Sequence, residues 1–434
     1  MGFITCKFGG TSLADASCFR KAAAIIRANP DRRYIVPSAP GRRTPEDKKI
    51  TDLLYAWHGL VSKSLDPAQP RDLIRARFAE LAAGLGLNFD IDRHIEEIAC
   101  NSGKHSEPDY MASRGEYLNG LLLAEYLGAR FVDPADCIKF DEEGDLDSIS
   151  YEMLGRQLEG PGLFVIPGFY GSTPDGRIRT FSRGGSDVTG AIVARASGSR
   201  LYENWTDVSG FRMADPRIVP DARRIEEITY QELRELSYMG AHVLHDEAIF
   251  PVRDPGIPIN IRNTNDPEDP GTMILPRREA LEPVCGIAGR AGFTMINIEK
   301  ALMNKELGFG RRVLTILEEQ GVSFEHMPTS IDTMSLIVND QELADRGAAI
   351  VKHIERACQP DRVSLVHDLA LVATVGQGMA GHIGVAARLF AALADASVNI
   401  RVIDQGASEN NIIVGIASKD LSAAVRAIYR AFAE

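Results

Sequence analysis

Residues 3–12 read FITCKFGGTS, a short apolar strand that ends in two glycines and leads into a helical pattern. Apolar side chains then recur at three- and four-residue spacing, at Phe19, Ala22, Ala23 and Ile26. Residues 177–196, RIRTFSRGGSDVTGAIVARA, repeat the order of strand, Gly-Gly loop and helix. Strands that alternate with helices predict an open α/β fold with a largely parallel sheet and helices on both faces.

Other segments extend this pattern along the first part of the chain. Further strands are predicted at 34–39, 163–169, 177–181 and 200–208, and helices at 112–128 and 186–196. Gly128 is placed to end the first of these helices. Residues 267–283 are rich in proline and charge, which predicts a linker.

The last third of the chain repeats itself with a constant offset of 76 residues. The aligned residues are Gly308, Arg312, Leu317, Val322 and Val338 with Gly384, Arg388, Leu393, Val398 and Val414. Each copy predicts a small α+β module of ferredoxin-like type. We therefore predict three domains, a catalytic domain at 1–280 and two modules at 284–365 and 366–434.

Composition narrows the class of protein. The formal net charge of −12 argues against a duplex nucleic-acid partner, and no apolar stretch reaches the length of a membrane span. The six cysteines lack C-x-x-C spacing, which is typical of reduced thiols and predicts a cytoplasmic protein. The three-residue spacing of His242 and His245 on a predicted helix favours a structural role, and H-E-x-x-H is absent, so no transition-metal site is assigned.

The first Gly-Gly loop has the features of a phosphate site. Gly9 and Gly10 let backbone N–H groups approach phosphate oxygens, and the helix that follows adds a favourable dipole. Lys7 supplies a point charge for a transferring phosphoryl group. The loop is not a Walker A motif, since its lysine precedes the glycines. The alternative for this hexapeptide is a tight turn with an exposed lysine.

Three charged residues accompany the second loop and the helix at 112–128. Arg183 offers a planar fork for a carboxylate, and Asp187 suits either a helix cap or the organisation of Lys7 and Mg²⁺. Glu116 lies early in an apolar helix, where a solvated glutamate is the alternative to a binding role. Two Gly-Gly loops at strand ends favour a binding site, because open α/β sheets bind ligands there.

The ordered motifs KFGGTS, SRGEYLNG, PGFYGS, FSRGGSDVTGA, WTDVSGFRMADPRIV and ELSYMGAHVLHDEAIFPV resemble the aspartate kinase family. The resemblance runs from residue 4 to the C-terminus, and the two C-terminal modules resemble that family's paired ACT domains. It implies an enzyme that uses ATP and Mg²⁺ to phosphorylate the β-carboxylate of L-aspartate, the first step of lysine, threonine and methionine biosynthesis. ACT pairing implies a homodimer.

The resemblance also implies residue roles. The positions that match the family's catalytic residues are Lys7 and Asp187. The positions that match its aspartate-binding residues are Ser38, Ala39, Thr51, Glu116 and Arg183. The positions that match the family's nucleotide-binding residues are Lys7, Gly9, Gly10, Ser12, Gly184, Thr206, Asp207, Arg212 and Arg217. The family's site for an amino-acid effector, lysine or threonine, matches the positions Met303, Glu306, Gly308, Phe309, Gly310, Ser323, Glu325 and Thr329.

The chain departs from the family pattern at several positions. His242 stands where many members have a lysine, and Arg212 replaces an aromatic residue of the nucleotide turn. Residues 41–49, GRRTPEDKK, form an insertion before Thr51. Glu306 and Gly310 differ from the lysine-sensing pattern, which leaves the effector open.

Two other functions compete with an aspartate kinase. One is a related kinase that acts on glutamate, an acylated glutamate or a nucleotide; Glu116 with Arg183 favours a free amino acid instead. The other is an amino-acid sensor with an inert kinase half. The presence of both Lys7 and Asp187 argues against that sensor.

Overall fold

The computed structural model describes residues 2–102, 107–182, 184–241, 243–244, 246–279 and 282–433, with only the backbone described at residue 246. The chain divides into two compact units. The first unit comprises Met1–Phe211, Glu226–Tyr230 and His242–Arg278, and the second comprises Arg212–Ile225, Gln231–Ala241 and Glu279–Glu434.

The described part of the first unit contains ten strands and most of the helices that precede residue 254. The strands are β1 (Ile4–Phe8), β2 (Arg32–Pro37), β3 (Arg130–Phe131), β4 (Phe164–Val165), β5 (Tyr170–Ser172), β6 (Ile178–Thr180), β7 (Leu201–Thr206), β8 (Glu227–Thr229), β9 (Ile259–Asn263) and β10 (Thr272–Leu275). The longer helices are α1 (Ala16–Ala28), α2 (Ile50–Val61), α3 (Ala68–Leu85), α4 (Ile91–Ser102) and α5 (Pro108–Leu127). They are followed by α6 (Pro134–Cys137), α7 (Ile149–Gln157), α8 (Gly185–Ala196), α9 (Tyr230–Tyr238) and α10 (Phe250–Arg253). Most of α9 belongs to the second unit.

Eight of these strands form one sheet, in the order β3-β4-β2-β1-β7-β9-β10-β8. Every neighbouring pair is parallel except β9 with β10. The predicted α/β class with a largely parallel sheet is therefore confirmed. Among the described strands, β5 and β6 pair only with each other, so the strand predicted at 177–181 lies outside the main sheet.

The predicted linker at 267–283 is wrong in part, because β10 lies within it. The apolar run TMIL of β10 pairs with both β8 and β9. Gly271 precedes β10 with φ +70, and a Cβ there would lie 1.8 Å from the carbonyl oxygen of Ile261. The turn glycine and the proline after the strand gave this segment the composition of a linker, although its apolar centre completes the sheet.

Helices cover both faces of the sheet around β1. Side chains alternate along a strand, so Cys6 and Phe8 point to one face and Lys7 to the other. Cys6 and Phe8 join a core that includes Phe19 and Ile26 of α1. Lys7 contacts Asp187 of α8 on the opposite face.

The second unit contains a five-stranded antiparallel sheet in the order β12-β11-β13-β15-β14. Its strands are β11 (Gly286–Glu299), β12 (Thr333–Asn339), β13 (Arg362–Val375), β14 (Val402–Asp404) and β15 (Asn411–Ala417). The helices described around this sheet are α11 (Phe309–Glu319), α12 (Asp340–Leu343), α13 (Gly347–Cys358), α14 (Val385–Asp395) and α15 (Leu421–Ala433).

In the structure, the two copies of the sequence repeat each contain a helix that begins in the same way. Gly308 and Gly384 precede α11 and α14 with φ +76 and +95, a backbone region that favours glycine. Each of these helices is 11 residues long. Strands β11 and β13 are 14 residues long and serve both copies, and the predicted boundary between 365 and 366 falls inside β13. The domain boundaries remain a prediction.

Within the described ranges, no helix is both long and apolar enough to cross a membrane.

Candidate active site

A buried ion pair lies at the end of β1. The Nζ atom of Lys7 is 2.6 Å from Oδ1 of Asp187, and both side chains are largely buried. Asn204, beside Lys7 on the neighbouring strand β7, donates its side-chain amide to the same Oδ1 over 2.8 Å. Tyr202 donates its hydroxyl to the backbone carbonyl of Asp187 over 3.0 Å. Asp187 is therefore a positioned carboxylate of α8 rather than a helix cap.

The first Gly-Gly loop follows this pair directly. Gly9 donates its backbone N–H to the carbonyl of Trp205 over 2.9 Å, which fixes the loop against β7. A Cβ at Gly10 would lie 2.9 Å from the carbonyl oxygen of Ala39, so only glycine fits between the two segments. One turn of 3-10 helix follows at Thr11–Leu13, and the Ser12 hydroxyl is 2.7 Å from the hydroxyl of Thr264.

The second Gly-Gly loop leads into α8. Gly184 is left-handed, with φ +77, and its carbonyl accepts the N–H of Asp187 over 2.7 Å. This turn places Asp187 in the first turn of the helix. Arg183, the predicted partner of a substrate carboxylate, lies outside the described residues, as do His242 and His245.

Glu116 is a buried carboxylate of the first unit. Its side chain is buried in the middle of α5, and no described residue hydrogen-bonds its Oε2 atom. Burial raises the pKa of the Glu116 carboxyl to about 7, opposed in part by the backbone of Ala39 and by the charge of Arg114. A solvated helical glutamate is therefore excluded. A buried acceptor without a partner is typical of a site that receives a ligand.

Arg114 places a positive charge close to Glu116. It is buried among three aromatic rings, with Cζ 4.7 Å from the ring centre of Tyr110, 4.4 Å from Tyr117 and 5.2 Å from Tyr170. Its guanidinium also donates to the Ser113 hydroxyl. The aromatic faces stabilise the cation without a carboxylate, which leaves Glu116 without a salt bridge to any described residue.

The segment after β2 joins Glu116 to the phosphate loop. Ser38 donates its N–H to the carbonyl of Phe8 over 3.0 Å, and its own carbonyl accepts the side-chain amide of Asn119 over 2.6 Å. Ala39 is buried, and a Cβ at Gly115, the neighbour of Glu116, would lie 3.0 Å from the Cβ of Ala39. Thr51 is half-buried in the first turn of α2.

The predicted nucleotide residues fall in both units. Thr206 ends β7, and its hydroxyl donates to the carboxylate of the exposed Asp207 over 3.3 Å. Arg212 and Arg217 lie in the second unit. Arg212 donates to the carbonyl of Ala222, and the exposed Arg217 pairs with Asp215.

The predicted effector residues surround α11 and strand β12 of the second unit. Gly308, Phe309 and Gly310 form the start of α11, and Met303 is buried before it. Met334 of β12 lies next to two of the predicted effector residues. It pairs with Thr329, and its Cε would lie 3.5 Å from a Cβ at Gly310. Ser323 donates its backbone N–H to the carboxylate of Glu342 over 3.1 Å.

Both carboxylates among the predicted effector residues have cationic partners. Glu306 pairs with Lys300 over 2.8 Å and with Arg312, and the Lys300 hydrogen bond lowers the pKa of Glu306. Glu325 pairs with Arg290 over 3.1 Å and accepts the hydroxyl of Tyr238. An effector ammonium at either position therefore competes with these partners.

Sequence reasoning missed two amides of the site. Asn204 and Asn119 are almost completely buried, and each donates to a predicted site residue. Both lie within the quoted motifs or the predicted strand at 200–208. For Asn119 the available signal is a polar amide in an apolar stretch of the helix, between Leu118 and the leucines that follow Gly120, whereas Asn204 follows Glu203 and gave no such signal.

Comparison with known families matches residues 3–263 to the amino acid kinase family and residues 372–432 to an ACT domain. Over 98% of both chains, the sequence is 39% identical to aspartokinase 3 of Bacillus subtilis. The chain belongs to the aspartokinase family.

Solved aspartokinase structures agree with this assignment. The aspartate kinase of Clostridium acetobutylicum is 50% identical, with a TM-score of 0.92 over 100% of both chains. Aspartokinase III of Escherichia coli is 27% identical over 100% of both chains; the TM-score is 0.79 for its complex with aspartate and ADP (R-state) and 0.77 for its complex with lysine and aspartate (T-state). The predicted fold and enzyme class, an aspartate kinase with a C-terminal ACT region, are confirmed.

Proposed function

We propose that this chain transfers the γ-phosphoryl group of ATP to the β-carboxylate of L-aspartate, giving 4-phospho-L-aspartate and ADP. The observation that carries this proposal is the buried Glu116, whose Oε2 has no hydrogen-bond partner among the described residues. Ala39 lies next to Gly115, the neighbour of Glu116, and also next to Gly10 of the phosphate loop. An anionic pocket beside a phosphate loop suits an acceptor that carries an ammonium group.

The reaction needs no general base. The β-carboxylate of aspartate is ionised at neutral pH, so one of its oxygens attacks the γ-phosphorus directly. A new P–O bond forms as the bond from the γ-phosphorus to the β,γ-bridging oxygen breaks, and the electron pair leaves with ADP. No proton is transferred. The protein's task is to hold two anions together and to neutralise their charge.

Lys7 and Asp187 are proposed to carry out this task. The Lys7 ammonium stabilises negative charge on the transferring group, and Asp187 with Asn204 fixes the position of that ammonium. Backbone N–H groups at Gly9 and Gly10, and the hydroxyl of Ser12, are assigned to the phosphates. Gly184 is assigned to the same nucleotide because it begins the facing helix α8.

Aspartate recognition is assigned to Ser38, Ala39, Thr51, Glu116 and Arg183. Glu116 would receive the substrate ammonium, which returns a countercharge to a buried carboxylate. Arg183 is proposed to bind the α-carboxylate through its planar fork. Thr206, Asp207, Arg212 and Arg217 remain proposed contacts of the nucleoside.

Mg²⁺ fits the donor set as an ion held mainly by the nucleotide. Among the described residues, no group of three histidine, cysteine or acidic side chains forms a metal cage. Phosphate oxygens and water commonly supply most Mg²⁺ ligands, with one or two protein carboxylates. Asp187 is the carboxylate paired with Lys7 and would supply that ligand. When bound, the ion neutralises charge on the phosphates.

We also propose feedback inhibition by an amino acid at the second unit. Support comes from the ACT match and from the lysine complex of the Escherichia coli relative. The site is assigned to Met303, Glu306, Gly308, Phe309, Gly310, Ser323, Glu325 and Thr329, and lysine or threonine remains the proposed effector. The ACT match also supports the proposed homodimer, which the resemblance to the family implies. The six cysteines all lie in described ranges and form no disulfide, which supports a cytoplasmic enzyme.

Trapping of the acyl phosphate with hydroxylamine tests the function directly. The purified chain is incubated with ATP, Mg²⁺ and hydroxylamine, and with L-aspartate, L-glutamate or N-acetyl-L-glutamate in parallel. We expect hydroxamate from aspartate alone. When lysine or threonine is added to the aspartate reaction, the effector should lower the amount of hydroxamate. Hydroxamate from another acceptor would assign a different kinase, and none from any acceptor would favour the inert sensor.

A further inference from the structure

Arg77 of α3 contacts three residues of the first unit, Ala14 after the phosphate loop and Gly41 and Asp47 of the insertion at 41–49, although it lies in none of the quoted motifs. Its side chain is 5% exposed. One terminal nitrogen, Nη2, donates to the carbonyls of Ala14 and Gly41, each over 2.7 Å. The other, Nη1, pairs with the carboxylate of Asp47. A buried cation with partners on both segments holds them in one arrangement.

Two of these contacts lie on the phosphate loop or against it. Ala14 directly follows the helical turn Thr11–Leu13, which continues the loop. Gly41 donates its N–H to the carbonyl of Gly10 over 2.8 Å while its own carbonyl accepts from Arg77. A Cβ at Gly41 would lie 2.5 Å from the carbonyl carbon of Gly10, so the two backbones are in direct contact.

The third contact closes the insertion at 41–49. Asp47 accepts from Arg43 through the backbone N–H at 3.1 Å and through the guanidinium at 3.0 Å, in addition to Arg77. The Arg43 hydrogen bonds, together with Arg77, hold the pKa of Asp47 well below its usual range. The insertion is therefore a folded loop anchored on α3 rather than a free extension.

This loop connects Ala39 with Thr51, both of which are assigned to aspartate. We propose that Arg77 is a positioning residue that fixes the aspartate-binding segment relative to the phosphate loop. The proposal rests on the proposed aspartate kinase function. Arg77 does not itself contact either substrate; it sets the distance between the attacking carboxylate and the γ-phosphorus. Displacement of one reactant by about 1 Å costs on the order of 100-fold in rate.

Substitutions that remove different numbers of these contacts provide the test. Arg77→Lys keeps a cation for Asp47 but cannot bridge two carbonyls and a carboxylate together. Asp47→Asn keeps both carbonyl contacts of Arg77 and weakens the third, together with the contacts that Arg43 makes with the same carboxylate. Arg75→Gln is the matched control, since Arg75 lies on the same helix, has a side chain that is 40% exposed, and pairs with Asp72 and Asp92.

We expect the loss of kcat to follow the number of contacts removed. Arg77→Lys should lower kcat about 10- to 100-fold, Asp47→Asn about two- to fivefold, and Arg75→Gln less than about twofold. ADP affinity, measured by calorimetry, should change less than about threefold in Arg77→Lys, because the phosphate loop itself is retained. A purely structural role predicts instead that kcat falls only as the folded fraction falls.

Hydrogen exchange supplies a readout that does not depend on activity. Amides at residues 41–47 should exchange at least about tenfold faster in Arg77→Lys than in the wild type or in Arg75→Gln. Unchanged exchange, or a kcat within about twofold of wild type in folded Arg77→Lys, would overturn the proposal. If Arg77→Lys does not fold, the same comparison is made with Asp47→Asn. A wild type that yields no aspartohydroxamate overturns the proposed function, whereas the exchange data still report on Arg77.

Discussion

The Nζ atom of Lys7 and the Oδ1 atom of Asp187 lie 2.6 Å apart, although 180 positions of sequence separate their residues. The contact exists because β1 and β7 are parallel neighbours and α8 packs on the face to which Lys7 points. Asn204, level with Lys7 on β7, completes the arrangement by donating to the same oxygen. Lys7 is thus held by one carboxylate that is itself held by an amide.

Lys7→Met should lower kcat about 100- to 1,000-fold while changing the thermal midpoint little, because the ammonium acts on charge in the transition state. Steady-state hydroxamate assays and a melting curve measure the two quantities. Lys21→Met, which removes an exposed lysine bonded to Asn265, is the control for charge alone and should retain full activity. A kcat within about tenfold of wild type in Lys7→Met would remove Lys7 from the catalytic step.

Asn204→Leu should lower kcat about tenfold, since a hydrogen bond to a charged group contributes about 1.5–3 kcal/mol. Leucine has a similar shape and leaves Lys7 and Asp187 paired, but Asp187 loses its second donor. The KM for ATP and the thermal midpoint are measured alongside kcat. An unchanged kcat would show that the ion pair alone keeps Lys7 in place.

Glu116→Gln should stabilise the protein at pH 8 and weaken aspartate binding. The folded carboxyl has a pKa of about 7 against an ordinary value of 4.5, so the folded state holds a proton that the unfolded chain releases between these values. The stability contributed by Glu116 therefore falls as the pH rises between these two values, by about 3 kcal/mol in all. Urea unfolding at pH 8 and pH 5.5 should show a gain in the variant that is smaller at the lower pH.

The same substitution should raise the KM for aspartate about 10- to 100-fold. An unchanged KM in the Glu116→Gln variant would mean that the substrate ammonium binds elsewhere. Glu96→Gln, at an exposed position of α4, is a matched control and should change neither KM nor stability.

The pH profile of the wild type should also reveal Glu116. In the free enzyme Glu116 is neutral below its pKa of about 7, so kcat/KM for aspartate should rise with pH through that value. In the complex the substrate ammonium favours the ionised carboxylate, so kcat should vary less over the same range. A profile of kcat/KM that is flat from pH 6 to 8 would contradict the assignment.

Gly310→Leu should abolish inhibition by the effector and leave the uninhibited rate within about twofold. The new side chain would occupy the space between the start of α11 and Met334. Ala386→Leu is its counterpart in the repeat, 76 residues later, and should keep full inhibition. Titration of each variant with lysine and threonine measures the effect; lost inhibition in Ala386→Leu alone would move the effector to the second copy.

The sequence allowed prediction of the elements that carry local signals. Hydrophobic periodicity and Gly-Gly turns placed β1, α1 and α8, and the constant offset placed the paired glycines before α11 and α14. These features depend on residues close together along the chain. They are therefore visible before any tertiary contact is known.

Features set by long-range pairing were not predictable. The strand β10 has the flanking composition of a linker, and only its pairing with β8 and β9 makes it part of the sheet. The burial of Glu116 was equally hidden, because helical spacing does not show what covers a glutamate. Arg77 depends on Gly41 and Ala14, which are 36 and 63 positions away.

The division into two units has a consequence for synthesis of the chain. Strands β1 to β4 and β7 are complete once Thr206 has been made, and they form a continuous block of the main sheet. The segments Arg212–Ile225 and Gln231–Ala241 come next, yet they belong with residues after 279. At about 5–20 residues per second, these segments wait on the order of 10 to 40 s for the rest of their unit.

Met213 and Leu236 are buried in the folded protein, and we expect their side chains to stay accessible to water until the rest of the second unit has been made. Most of the first unit is thus synthesised before most of the second, and two early segments of the second unit are made long before their partners.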